Sequence, residues 1–406
     1  MKWLRVLGPA FITASVVLGP GSIVTASKVG AGHGYSLIWM PIVCTLFMVT
    51  YTSMAARFAC VSSESLLEAL AREYGRWLSI LLGISAFVVV AGFQSSNNIS
   101  VAAAMEPLLP LPVWVWPLLF TGLSIYFLFA AKDLYQILER AMMVLVGVMI
   151  VAFLYNLVLS LFHAVPAEKE LPPPAGGGNL LVITGFFATT FSVVAAFFQA
   201  YLVQEKRWTL KEYRLGIRDA VAGISVLGLI SLVIMVTAAR TLRGQMGEIK
   251  DIAALSQLLR GSFGGFSIVI FSIGLLAAAF SSFIVNAMIG GTLLSDGLGL
   301  GKSLESRSAR LLTVVALLIG MAVALAVYLL DFELVHSIVV AQASTLVAVP
   351  FCALALLVVC NKRSIMGQHV NGPTSNLLAG AGFLVLCWMV IATGRKIWFY
   401  LTSSGL

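Results

Sequence analysis

Eleven apolar runs, each near or above the ~20 residues a helix needs to cross a bilayer, leave this chain one class of fold. They cover roughly 8–31, 35–58, 77–104, 112–131, 139–164, 179–204, 216–240, 263–291, 308–330, 335–360 and 374–401. Hydrophobic residues make up 60% of the 406 and charged ones 10%, which excludes a soluble domain. The expectation is an all-α polytopic membrane protein of about eleven transmembrane helices. The formal charge of +8 does not point to nucleic acid, because the basic residues sit in short loops. With the N-terminus inside, cytoplasmic segments hold 17 of the 25 lysines and arginines, the bias that sets orientation. The N-terminus is therefore expected in the cytoplasm and the C-terminus outside, in a bacterial inner or plasma membrane.

The first run is broken at Leu18-Gly19-Pro20-Gly21-Ser22. Pro20 removes a backbone donor and clashes with the preceding turn, while Gly19 and Gly21 tolerate dihedrals that other residues resist. Lipid cannot satisfy the freed groups, so a broken helix survives at mid-membrane depth only where it lines a cavity. Such half-helices mark the substrate sites of many secondary transporters; a ligand-free proline kink is the other reading of the motif alone. The Pro/Gly stretch at 165–178, with Pro172-Pro173-Pro174 and Gly176-Gly177-Gly178, divides the chain. Residues 1–164 form one expected repeat of five spans, 179–360 a second, inverted one, and 361–406 the eleventh span with the C-terminus. The sixth span carries a matching irregularity, Ala188-Thr189-Thr190-Phe191-Ser192.

Leu7-Gly8-Pro9-Ala10, Gly34-Tyr35, Trp39, Ala55-Ala56-Arg57 and Leu67-Glu68-Ala69-Leu70 follow in that order, then Leu275-Leu276-Ala277, Ser281-Ser282 and Gly290, then Gln342, Pro350-Phe351, Lys362-Arg363 and Met366-Gly367. In this set the chain resembles the NRAMP (natural resistance-associated macrophage protein) family of divalent-metal transporters. The resemblance implies the leucine-transporter-type fold, with two inverted five-helix repeats, broken helices 1 and 6, and alternating access. It does not extend to that family's working residues. The first-span signature Asp-Pro-Gly-Asn reads Gly19, Pro20, Gly21 and Ser22 here; the sixth-span Met-Pro-His reads Ser192, Val193 and Val194; the third-span acidic pair reads Gln94 and Asn97. Of the site's amide and carboxyl groups only Gln342 survives.

A dehydrated divalent cation needs carboxylate, imidazole or thioether ligands to recover its hydration energy, and no Asp or Glu lies deep in a span near the break. Lys28, about six residues or roughly 9 Å beyond it, is expected to snorkel to the outer interface. What remains is a neutral lining: Gly19, Gly21, Ser22 and Thr25 from the first span, Gln94, Asn97 and Asn98 from the third, Thr189 and Ser192 from the sixth, Phe280 from the eighth and Gln342 from the tenth. Ser96 is expected to serve helix packing. Amides, hydroxyls and rings without formal charge suit a small neutral organic solute, most simply a monosaccharide such as glucose. An amino acid, held by free N–H groups at the first-span break, a divalent metal in an atypical site, and a non-transporting sensor are the other readings. No nucleophile–base pair or phosphate loop suggests an enzyme, and no metal or other cofactor is expected. The five cysteines read as packed thiols.

Overall fold

In a computed structural model, residues 19–130, 144, 147–159, 178–243 and 249–403 are described. Residues 165–177 of the expected linker, the segment before Gly19 and the start of the fifth span, with Glu139, lie outside them. The described residues form helices α1 (Pro20–His33), α2 (Trp39–Val61), α3 (Leu66–Tyr74), α4 (Arg76–Met105) and α5 (Val115–Ala130). After α6 (147–159) come α7 (Gly178–Thr190), α8 (Val193–Glu205), α9 (Tyr213–Thr241) and α10 (Ser267–Gly297). The chain ends with α11 (Arg307–Leu329), α12 (Leu334–Ser344), α13 (Val349–Asn361) and α14 (Pro373–Ser403). Each expected span is mainly helical over its described residues. Eight helical stretches among the described residues are long and apolar enough to cross a membrane, and the protein is an integral, multi-pass membrane protein.

Two helical paths are interrupted among the described residues, and the first span starts abruptly within them, at Pro20, with Gly19 extended (φ −86°, ψ 178°) as the residue before it. The sixth stops at Thr190 and restarts at Val193, with Ser192 at φ −81°, ψ 84° between the halves. No proline causes this second break; consecutive β-branched and hydroxyl residues weaken helix propensity there. The tenth is interrupted between α12 and α13 by a tight turn over Thr345–Val347. Pro350 opens α13, in the first turn where its missing N–H costs nothing.

Small residues let the remaining helices approach backbone to backbone. A Cβ on Gly297 of α10 would meet the Ser79 carbonyl of α4 at 2.7 Å, and one on Gly83 of α4 would meet the Leu293 carbonyl at 3.0 Å. A Cβ on Gly30 of α1 would collide with the Met235 carbonyl of α9. Lipid is as apolar as leucine, so close van der Waals contact of this kind holds membrane helices together. Gly297→Ala should cost about 1–3 kcal/mol, the usual penalty of overpacking, read as a fall of a few degrees in Tm in detergent; an unchanged Tm would show that these helices have slack.

Outside the spans, α3 is a short amphipathic helix opened by a capping box, in which Ser65 and Glu68 satisfy each other's backbone N–H groups. Glu68 also takes an ion pair from Lys302 at 2.8 Å. Burial acts against the charged carboxyl, but the Lys302 and Ser65 bonds outweigh it and hold Glu68 below the usual carboxylate range. Lys362 joins Glu73 of α3 at 2.5 Å, so α3 ties together the loops before α11 and after α13.

Lys28 departs from expectation. It does not snorkel to lipid: it is only 8% exposed, inside the bundle. All five cysteines are unpaired and at least partly buried.

Candidate functional site

The first and sixth breaks face each other across a cavity of ≈ 20 Å³ lined by Gly19, Gly21, Ser22, Phe93, Asn97, Thr189, Ser192, Asn286 and Gln342. Seven of the eleven expected site residues therefore meet here. The packing that brings them together is tight. A Cβ on Gly21 would collide with the Gln342 side chain, so glycine is what lets α12 lie against the start of α1. Thr25, one turn further along α1, donates to the Gly21 carbonyl at 2.7 Å and lies 3.3 Å from the Thr189 hydroxyl. Thr189 in turn reaches the Phe186 carbonyl at 2.9 Å. Thr25 thus ties the two broken helices together behind the cavity rather than lining it.

Three expected residues sit elsewhere. Gln94 is fully buried against Gly320 of α11, whose Cβ would meet its Cγ at 2.6 Å. Asn98 donates to the Gln94 carbonyl at 3.0 Å and accepts from Thr121 of α5 at 3.2 Å. Phe280 packs edge-on against Phe120 and Phe127, with centroids 5.5 and 6.5 Å away, in a separate apolar cluster. The reason is rotational. Consecutive helical residues are turned by about 100°, so a run of five polar residues on α4 cannot face one cavity.

The same geometry shows what polarity alone missed. Phe93 is one turn before Asn97, hence on its face, and supplies the cavity's only ring among the described residues. Asn286, the polar residue of the eighth span, completes the α10 side, as its polarity predicts. Ser96 is more than packing: it accepts a hydrogen bond from Gln342 Nε2 at 2.7 Å, fixing that side chain across the α4–α12 gap.

Two atoms at the cavity stand without partners among the described residues. Asn97 accepts from Ser282 at 3.4 Å, yet its Nδ2 donor is unmet, and with Gln342 Nε2 committed to Ser96, Gln342 Oε1 is an unmet acceptor. In this assigned amide orientation the cavity offers one buried donor and one buried acceptor. That pair complements a hydroxyl group, which donates and accepts; a metal cation would use only the acceptor. The N-termini of α1 and α8 also point here and add partial positive charge. Among the described residues there is no cluster of three or more His, Cys, Asp or Glu side chains able to hold a metal. None of the nine lining residues titrates near neutrality, so solute binding should change little between about pH 5 and 8. Proteoliposomes acidified or alkalinised by solute entry would contradict this.

Broken membrane helices meeting at a buried polar cavity define a secondary transporter fold. Comparison with known proteins narrows it. The natural resistance-associated macrophage protein-like (Nramp) family matches residues 10–394, and this chain belongs to that family. A divalent metal cation transporter MntH of Chromohalobacter salexigens is 27% identical, covering 98% of this chain and 92% of that one. Another MntH, of Deinococcus radiodurans, is 26% identical over 97% and 90%. Among solved structures, a variant of the Eremococcus coleocola manganese transporter superposes with a TM-score of 0.77 at 18% identity, covering 96% of this chain and 87% of that one. Mhp1, a nucleobase-cation-symport-1 family transporter in a closed conformation with bromovinylhydantoin bound, gives a TM-score of 0.61 at 12% identity, covering 97% and 92%.

Proposed function

We propose that this Nramp-family transporter carries a small neutral hydroxylated solute, most simply a monosaccharide such as glucose, by alternating access between two inverted repeats, with its N-terminus in the cytoplasm. The observation that carries the reading is the unmet Asn97 donor and Gln342 acceptor in a cavity whose described lining has no charged side chain. A divalent ion stripped of water must replace a large hydration energy, and neutral amides and hydroxyls alone recover it poorly. The fold itself does not dictate the cargo: Mhp1 holds an organic molecule within a similar helical arrangement.

At ≈ 20 Å³ the cavity has room for about one water. A hexose ring does not fit it as it stands. On this reading the structure is a closed-down state, and α1, α7, α8 and α12 part to admit solute, with the Phe93 ring available for stacking against a sugar face.

A second reading keeps the cargo of the relatives. The MntH proteins are named as divalent metal cation transporters, and the small cavity is the size of an ion rather than a sugar. A thermal-shift screen of the purified protein against monosaccharides, amino acids and Mn²⁺ separates the readings. A saturable sugar-dependent rise in Tm with none from Mn²⁺ supports the proposal, and a Mn²⁺-dependent rise alone reverses it. A rise with amino acids alone would move the solute class to that alternative.

A further inference from the structure

Lys28 is buried in the bundle and takes no part in the lining of the cavity. Gly21, Thr25 and Lys28 are spaced i, i+4, i+7, which puts them on one face of α1. On that face Gly21 abuts Gln342 of α12, and Thr25 abuts Thr189 of α7. Lys28 is two turns further along, roughly 10 Å from Gly21 at ~1.5 Å per residue. It therefore lies between the half-helices flanking the cavity, on the outer side in the orientation proposed above.

Its surroundings leave its charge short of an acid. Among the described residues no carboxylate lies within ion-pair distance of Lys28. Burial acts first against its charge, the Glu333 carboxylate at the entry to α12 supports it, and Lys250 opposes it. Glu333 is already held by Lys250 at 3.0 Å. The Lys250 bond keeps the Glu333 carboxyl below its usual range, with His336 and Lys28 adding to that effect. Lys250 and Lys28 thus bring two cations to one described acid, and the surplus is Lys28.

We propose that Lys28 is the charge filter of the outer approach to the cavity, turning back cations and admitting neutral or anionic groups. A unit charge inside the bundle, about 10 Å from the cavity, acts across a low effective dielectric, so it changes the local concentration of charged species severalfold in opposite directions for opposite signs. The residue thereby determines specificity without touching the solute in the cavity. The inference rests on the transport reading and on the orientation, but not on which solute is carried.

The test needs no solute. A cysteine placed at the cavity by Ser22→Cys, with Ser192→Cys as a second reporter should the first not fold, is treated from outside with anionic and cationic methanethiosulfonate reagents. Rates are corrected for reaction of the parent protein's own cysteines and for each reagent's reactivity toward a free small thiol. With Lys28 present the anionic reagent should react faster. Lys28→Gln should lower the anionic-to-cationic rate ratio by about tenfold, and Lys28→Arg should preserve it. A ratio indifferent to Lys28→Gln overturns the proposal. So does a reporter that neither reagent reaches from outside, because Lys28 would then guard no open approach. If the ratio moves as expected while sugars are not carried, the proposed solute fails and the filter stands.

Discussion

Gln342→Ala should weaken solute binding ten- to a hundredfold while the protein still folds and inserts. Gln342 is 3% exposed, anchored by Ser96 at 2.7 Å, lines the cavity, and has an unmet Oε1. Deleting it removes a hydrogen bond to the solute and leaves a buried solute hydroxyl unpaired, a loss of about 1–3 kcal/mol, each 1.4 kcal/mol being a factor of ten. Asn97→Ala should act similarly from the α4 side, because its Nδ2 is the matching unmet donor. The control is Asn98→Ala. Asn98 bonds to Gln94 and Thr121 and not to the cavity, so its loss should lower stability and leave the half-saturating concentration unchanged. Uptake measured at matched density in proteoliposomes separates the three. If Asn98→Ala raised the half-saturating concentration as much as Gln342→Ala, the site would have been placed wrongly on α4.

The second large effect is a gain. Gly19→Asp combined with Ser22→Asn puts a carboxylate and an amide at two positions that already line the cavity. Gly19 is in extended backbone (φ −86°, ψ 178°) that any residue adopts, so the aspartate needs no change of path. A carboxylate supplies the charge that the described lining lacks, and Gln342 Oε1 is already an unmet acceptor. Mn²⁺ affinity should rise at least about a hundredfold over the parent, roughly 2.7 kcal/mol, read by calorimetry. The same charge should depress neutral-solute uptake. If the parent already bound Mn²⁺ as tightly as the double variant, charge would not be what its site is missing.

How far the sequence reached depended on the kind of signal. The first break was readable from Pro20 and its flanking glycines, because backbone chemistry at those residues has few alternatives. The sixth break has only a softer pattern of Thr189, Thr190 and Ser192 behind it, and the family resemblance is what implies it. The interruption at Thr345–Val347 leaves one mark in the sequence, Pro350 on its far side, which a helix tolerates in its first turn. Facing was the harder problem. Gln94 and Asn98 were chosen for polarity, but hydrophobic periodicity carries little orientation in a helix apolar on nearly every side. Phe93 was missed because an aromatic among apolar neighbours looks like core, although its position one turn from Asn97 would have found it. Sequence alone points Lys28 to the outer interface, and only packing against the neighbouring helices shows it inside the bundle.

The central claim is that this Nramp-family protein has exchanged a charged cargo for a neutral one. Uptake of labelled glucose and of Mn²⁺ into the same proteoliposomes, beside empty liposomes, tests it most directly. The account predicts saturable sugar uptake that Gln342→Ala weakens at least tenfold, with Mn²⁺ entry no faster than into empty liposomes. Saturable Mn²⁺ uptake that Gln342→Ala abolishes, with no sugar entering, would contradict it.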